Sequence, residues 1–413
     1  MSACVLGSLA LGYHPLWNRA RQLAGMVLYA TAMATDEPAP PAAGAHLLRT
    51  LHDLWSDRSP PLLICAQTRP LLNDLLEQAA PGAPSIAVRG DWLSDPALCA
   101  RVQAARQRGL RLVWRGGLGQ FPQAGLADCF ECGLLTLRPK DAVAAWQTAR
   151  TADPARPAHP VLAGHICEHI THRALMAHCL EHDRAQALAG WPAQDILRRL
   201  QHRRAQQPAQ AVILKLLQAM DTEQSLETFE DILGEDPLLA YRFLASANSA
   251  ALDLRTGISS LRRGLVMMGC LALRRWLAEL RPDASTDPDM QPVRRAMVLR
   301  ARLAAGLLDT GVGSELRRDI YLCGLLSQLD QLLGEPQDSI LRRLPLSERI
   351  HQATVLRTGP YSAGLQMACA LEGDDARAIG PLCATFAMEL EQVNRTLLRV
   401  LSGQEVPAPA PGH

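Results

Sequence analysis

Aromatic residues are scarce, at 4% of the 413-residue chain. Lysine is almost missing: Lys140 and Lys215 are the only two, and nearly all positive charge is arginine. Net charge is close to zero, with 42 basic against 41 acidic residues. That balance gives no whole-chain electrostatic case for nucleic acid or an anionic membrane. No uninterrupted apolar run reaches the ~18 residues that a membrane-spanning helix needs, so no span is expected. The start, MSACVLGSLALGYHPLW, lacks the basic stretch that opens a signal peptide, and its first charge is Arg19. A buried first strand is the better reading of it. The 11 cysteines are odd in number, scattered and set among Leu and Ala. They read as small core residues in a reducing cytoplasm rather than as a disulfide framework.

Apolar residues make up 48% and charged residues 20%, which excludes wholesale disorder. At ~100–200 residues per domain the length implies two or three domains. Alternating strand and helix signals fill the first part. Short apolar runs at 8–12, 25–31, 62–66 (LLICA), 85–89 (SIAVR), 110–114 (LRLVW), 134–137 and 161–167 read as strands. Helical patterns lie between them at 46–55, 71–78 and near Trp146. Another runs to Gly109 from Asp95-Pro96, an acidic cap followed by proline in the first turn. Such a rhythm argues for a mostly parallel α/β sheet or barrel.

After about Asp195 the pattern is all helical. Ile213, Leu216, Leu217 and Met220 share one helix face. Ser225 is the expected cap of a helix closed by Gly234, Asp236-Pro237 opens the next, and Ser259 is the expected cap of a fourth. Residues 281–292 read as a polar loop. Helices are expected near 293–310, 315–333, 347–357 and 384–401, ahead of a disordered tail, VPAPAPGH.

The second half resembles an HDOD domain, a helical relative of HD phosphohydrolases. The resemblance rests on ILKLLQAM, EDPLLAYRFLASANSA and ISSLRRGLVMMGCLALRRWL, and is sharpest at Asp236-Pro237 and Asn248-Ser249. VRRAMVLRARLAAGLL, LCGLLSQLDQLLG and LRRLPLSERI look like the subclass joined to EAL domains. The first half resembles a degenerate EAL domain, the cyclic di-GMP phosphodiesterase barrel, through GYHPLWNRARQLAGMVLYA, GLRLVWRGGLG and PVLAGHICEHITHRALMAHCLEHDRAQALAG. The expected architecture is therefore a barrel-like α/β domain over 1–192, an all-α HD-like domain over 193–401 and a tail over 402–413.

The resemblance implies carboxylates at strand ends that hold divalent cations. At those places stand Met26 or Val27 for the signature Glu, Arg115 and Gly116 for the paired aspartates, and Thr136 or Arg138 for the Lys. Gly164 replaces one acid, Glu168 keeps another, and Asp91 is a candidate displaced acid. Arg115 would oppose a dication. In the helical half the His-Asp pair of an HD hydrolase is replaced by Ser327-Gln328, and no histidine lies between His202 and His351. Neutral Ser and Gln are poor substitutes for imidazole and carboxylate on a metal. The expectation is that the chain is not an enzyme, with no catalytic, cofactor-binding or metal residue assigned. It is expected to be a regulatory pseudoenzyme of a bacterial signalling pathway, acting on a protein partner through the HDOD domain. The alternative is a sensor that binds cyclic di-GMP without hydrolysis.

Three further features carry a chemical and a plain reading. Six of the 12 histidines fall between 159 and 182, and His165, His169 and His172, or His178 and His182, have spacings that suit a metal or a solvated helix face. Cys129 and Cys132 form a CxxC that is a redox pair, half a zinc site or two ordinary thiols. Arginine pairs at 198–199, 203–204, 262–263, 274–275 and 294–295 touch phosphate or an acidic partner, or pair with Glu and Asp on solvated faces. Asn248-Ser249 reads as structural, and the Arg115–Gly119 loop lacks the GK[ST] of a phosphate cradle. Oligomeric state is left open.

Overall fold

The computed structural model describes residues 5–33, 43–117, 121–137, 165–181, 185–201, 206–250, 257–307 and 313–406. The chain divides into two compact units, Met1–Asp195 with Ala370–His413, and Ile196–Cys369.

The first unit is a closed eight-stranded barrel in sequential order: β1 Leu9–Asn18, β2 Leu23–Ala32, β3 Leu62–Ala66, β4 Ser85–Arg89, β5 Leu112–Gly116, β6 Cys132–Thr136, β7 Ile166–Glu168 and β8 Ala187–Ala189. Strands β2 to β8 run parallel, while β1 is antiparallel to both β2 and β8. A tight turn reverses the chain between β1 and β2, with Arg21 at φ 60° and the Asn18 side chain accepting from Gln22 N–H at 3.0 Å. The parallel strands are covered on both faces, which is why they read as continuous apolar runs such as LLICA rather than as alternation. Inside the barrel, every second residue fills the centre: Val27, Leu63, Ala87, Val113, Leu134 and Ile166 pack together as one cluster.

Local signals place the flanking helices. Asp95 caps Pro96–Gln107 by accepting from Ala97 N–H at 2.9 Å, with Pro96 in the first turn. The expected strands at 62–66 and 85–89 stand at those bounds; LRLVW shifts by two residues, to Leu112–Gly116. The helix expected near Trp146 lies outside the described residues.

The second unit is helical. Ser225 caps Leu226–Leu233, accepting from Thr228 N–H at 3.2 Å. Asp236 caps Pro237–Ala250 through Leu238 N–H at 2.8 Å and Leu239 N–H at 2.9 Å. The cap of Leu261–Leu280 is Ser260 and not the expected Ser259; Ser260 accepts from Arg263 N–H at 3.2 Å. That helix breaks at Gly269, φ 69°, which only glycine adopts without strain. Met290–Gly306 and Ser314–Leu326 cross closely: a Cβ on Gly324 would lie 2.6 Å from Ala301 Cα. The expected 315–333 helix is broken at Ser327-Gln328, so Leu329–Leu333 stands alone. Residues 347–357 form one α-turn, Glu348–His351, and a π-turn, Gln352–Leu356.

The expected helical span of 193–401 is divided. The helices Ile379–Phe386 and Leu390–Ser402 belong to the barrel unit. One tie is a buried side chain: Asn394 Nδ2 donates to the carbonyls of Leu6 at 2.8 Å and Leu9 at 2.6 Å, at the start of β1. Of the expected tail 402–413, 402–406 is described: Ser402 ends the helix Leu390–Ser402 and Gln404 is buried; 407–413 lies outside the described residues.

Candidate functional site: the open end of the barrel

The C-terminal ends of the parallel strands bring together side chains far apart in sequence. Glu168, the last residue of β7, is fully buried, and Arg115, one residue from the end of β5, is 8% exposed. They form a fork pair, Nε to Oε1 at 2.9 Å and Nη2 to Oε2 at 3.2 Å. Thr136 at the end of β6 donates to Oε1 at 2.5 Å, and the Tyr29 hydroxyl donates to Oε2 at 3.2 Å. The guanidinium also lies over the Tyr29 ring, 5.3 Å from its centroid. His14 of β1 also meets Tyr29, its Nδ1 3.3 Å from the hydroxyl.

Electrostatics follow from this arrangement. Burial opposes ionisation of Glu168, but the Arg115 charge, its hydrogen bonds and that of Thr136 outweigh it and hold the carboxyl below its ordinary range. Burial, assisted by the neighbouring Glu168 charge, raises Tyr29 well above an ordinary phenol, so it stays a donor. Burial pushes the Cys65 thiol up to about 12. It lowers His14, which is therefore neutral at pH 7.

The rim is finished by the chain that re-enters the unit after residue 369. Leu371–Asp374 lies along β1, with Tyr13 N–H donating to Leu371 O and Gly373 N–H to Tyr13 O, both at 2.9 Å. Asp374 Oδ2 stands 3.7 Å from Arg115 Nη2 and 3.5 Å from His169 Nε2.

The sequence candidates fall as follows. Val27 is part of the apolar interior, and Met26 is buried beside it in β2. Arg115, Thr136 and Glu168 meet. Arg138 and Gly164 lie outside the described residues. Asp91 is not drawn into the barrel; it forms a surface fork pair with Arg89, at 3.0 and 2.6 Å. His165, His169 and His172 do not share one helix face. His165 precedes β7, His169 sits at φ 62° after it, His172 precedes the helix Arg173–Glu181, and His178 is within that helix; His159 and His182 lie outside the described residues. Cys129 and Cys132 are free thiols, both raised by burial and Cys132 to about 11, which suits a packed thiol better than a redox nucleophile. Among the described residues, no three His, Cys, Asp or Glu side chains assemble as a metal site. The donors at this end do not fit the cation pair that the resemblance implies: Glu168 is engaged by a guanidinium and two hydroxyls, and Asp374 faces that same guanidinium.

In the helical unit the marker residues are structural. Asp236 pairs with buried Arg294 at 2.7 Å and accepts from Ala209 N–H at 2.8 Å. Asn248 donates to the carbonyls of Leu244 and Ile258 and accepts from Ile258 N–H, which ties its helix to Ile258. Arg262 and Arg274 pair with Glu227 and Asp221 on exposed faces. Ser327 hydroxyl donates to Gly324 O at 2.7 Å. A cavity of about 700 Å³ is lined by Glu230, Asp231, Asp319, Arg302, Arg317 and Arg318.

Comparison with known proteins places these observations. Residues 207–334 match the HDOD domain family. The chain thus joins a closed eight-stranded barrel to a helical unit that carries the match to the HDOD domain family. It is 24% identical over 169 residues to the cyclic di-GMP phosphodiesterase CdgJ of Vibrio cholerae, covering 41% of this chain and 39% of that one. The chain spans about two-fifths of the length of the curated relatives it matches. Among solved structures it is similar to the MmoQ response regulator of Methylococcus capsulatus (TM-score 0.37, 17% identity, 47% of this chain and 98% of that one). It is also similar to the EAL domain of Mycobacterium smegmatis DcpA (TM-score 0.29, 12% identity, 44% and 90%). The name of the Vibrio relative overturns the expectation, drawn from the replaced carboxylates, that the chain is no enzyme. No helix among the described residues is long and apolar enough to cross a membrane.

Proposed function

We propose that this protein acts in cyclic di-GMP signalling in the cytoplasm, with the open end of the barrel as the dinucleotide site and the HDOD domain as the module that engages a protein partner. The observation that carries the reading is Arg115. Its planar fork suits a phosphate as well as a carboxylate, and it lies at the strand ends where barrel ligands bind. Among the described residues its hydrogen-bond and ion-pair partners are side chains, Glu168 and Asp374, so a partner can be exchanged. His14 and His169 border the same opening and add hydrogen-bonding groups. The matched HDOD family and the mixed-charge cavity of the helical unit support an interaction role for that half.

The test is a calorimetric titration of the full chain with cyclic di-GMP, with and without Mn²⁺, followed by chromatography of the mixture. A saturable heat at micromolar ligand is the expected result; no heat up to millimolar ligand would sink the reading. The relative's name favours a second reading, hydrolysis of the bound dinucleotide, and the same chromatogram reads it as a linear product.

A further inference from the structure

We infer that Asp374 is a tethered competitor for the cationic groups of the barrel opening, carried there by the strap that leads out of the helical unit. This deepens the function proposed above and rests on it for the identity of the natural ligand.

The strap is built to deliver this one carboxylate. Two backbone hydrogen bonds and a ladder pairing of Tyr13 with Glu372 fasten it to β1. Close approach is allowed by glycine on both sides: a Cβ on Gly12 would lie 2.2 Å from Gly373 O, and Gly373 has φ 115°. The next residue is Asp374. Its carboxylate shares Arg115 Nη2 with Glu168 and reaches His169. Glu168 already neutralises Arg115, so Asp374 is a second anion on the same fork and the more exposed one, its side chain 34% accessible against 0% for Glu168. An incoming phosphate has the same charge sign as Asp374 and, like a carboxylate, offers oxygens that a guanidinium binds, so it is placed to take over the same nitrogen. The adjacent Asp375 makes a useful contrast: its carboxylate turns away to Arg377, at 2.8 and 2.6 Å. The strap begins at Leu371, directly after the helix Ser362–Ala370.

The experiment titrates the full chain, Asp374→Asn and Asp375→Asn with two probes, cyclic di-GMP and inorganic pyrophosphate. Removing the competitor is expected to tighten anion binding about five- to tenfold in Asp374→Asn and to leave Asp375→Asn within about twofold of the parent. Unchanged or weaker binding in Asp374→Asn overturns the inference, as does an equal gain in Asp375→Asn, which would mark a bulk charge effect. If cyclic di-GMP binds none of the three proteins, the proposed function fails while the pyrophosphate series still decides the role of Asp374. If neither probe binds any of them, the inference falls as well.

Discussion

A buried arginine–carboxylate pair is found among the described residues of each unit, and the two are held in opposite ways. In the helical unit, Asp236 is fastened to main chain: it accepts from the N–H groups of Ala209, Leu238 and Leu239, and its partner Arg294 donates to Gln207 O at 2.6 Å. In the barrel, the Glu168 carboxylate is held, among the described residues, by the side chains of Arg115, Thr136 and Tyr29. A carboxylate tied to backbone is a cap whose removal undoes the local fold. A carboxylate held by side chains at the mouth of a barrel can change partners without unmaking a strand. Burial and charge are alike at the two places; the nature of the partner separates structural work from candidate ligand chemistry.

The largest effect is expected at Asp236. Asp236→Ala strands a buried Arg294 and leaves two helix-start N–H groups without their cap, a loss of about 3–5 kcal/mol in denaturant unfolding of the helical unit. A loss below about 1 kcal/mol would break the distinction between the pairs.

Arg115→Met comes next. It leaves Glu168 buried without a cation and is expected to cost about 3 kcal/mol at pH 7, most of which returns in the double variant Arg115→Met/Glu168→Gln, which removes the stranded charge. The pH dependence sharpens this. Because Glu168 is held below its ordinary range when folded, the pair's contribution is complete above the unfolded carboxyl value of ~4.3 and is lost as pH falls through the lower folded value. Chemical unfolding of parent and Arg115→Met should therefore converge on acidification; a gap that widens would contradict the assignment.

Asn248→Ala removes three hydrogen bonds that tie its helix to Ile258, with an expected loss of about 1–2 kcal/mol and no change in anion binding. The smallest effect is expected for Asp91→Asn, whose carboxylate sits in an exposed pair with Arg89: under about 0.5 kcal/mol, with cyclic di-GMP affinity unaltered. A marked loss of affinity would return Asp91 to the site.

Much of this contrast was legible in the residues, and the unread parts have physical reasons. LLICA and SIAVR announce barrel strands because burial on both faces demands unbroken apolar runs. Asp95 and Ser225 announce helix starts because a short oxygen-bearing side chain satisfies an orphan N–H. Ala187–Ala189 carries almost no strand signal, since the three residues Ala-Leu-Ala suffice to close the barrel between β7 and β1. Arg115 and Glu168 were each visible as the residues standing where acids are implied, yet their pairing depends on β5 and β7 flanking β6, which no local pattern reveals. Asp374 had no signal at all. It reaches the opening only because the chain returns to β1 after the helical unit, and the one trace of that contact is the small size of Gly12 and Gly373.

The central claim, that the dinucleotide is received at the barrel opening and not in the helical unit, is tested most directly by hydrogen–deuterium exchange of the full chain with and without saturating cyclic di-GMP. The account predicts altered exchange in peptides spanning 112–116, 166–169 and 371–374, with 236–258 unchanged. Protection confined to the helical unit, or no change anywhere, would contradict it.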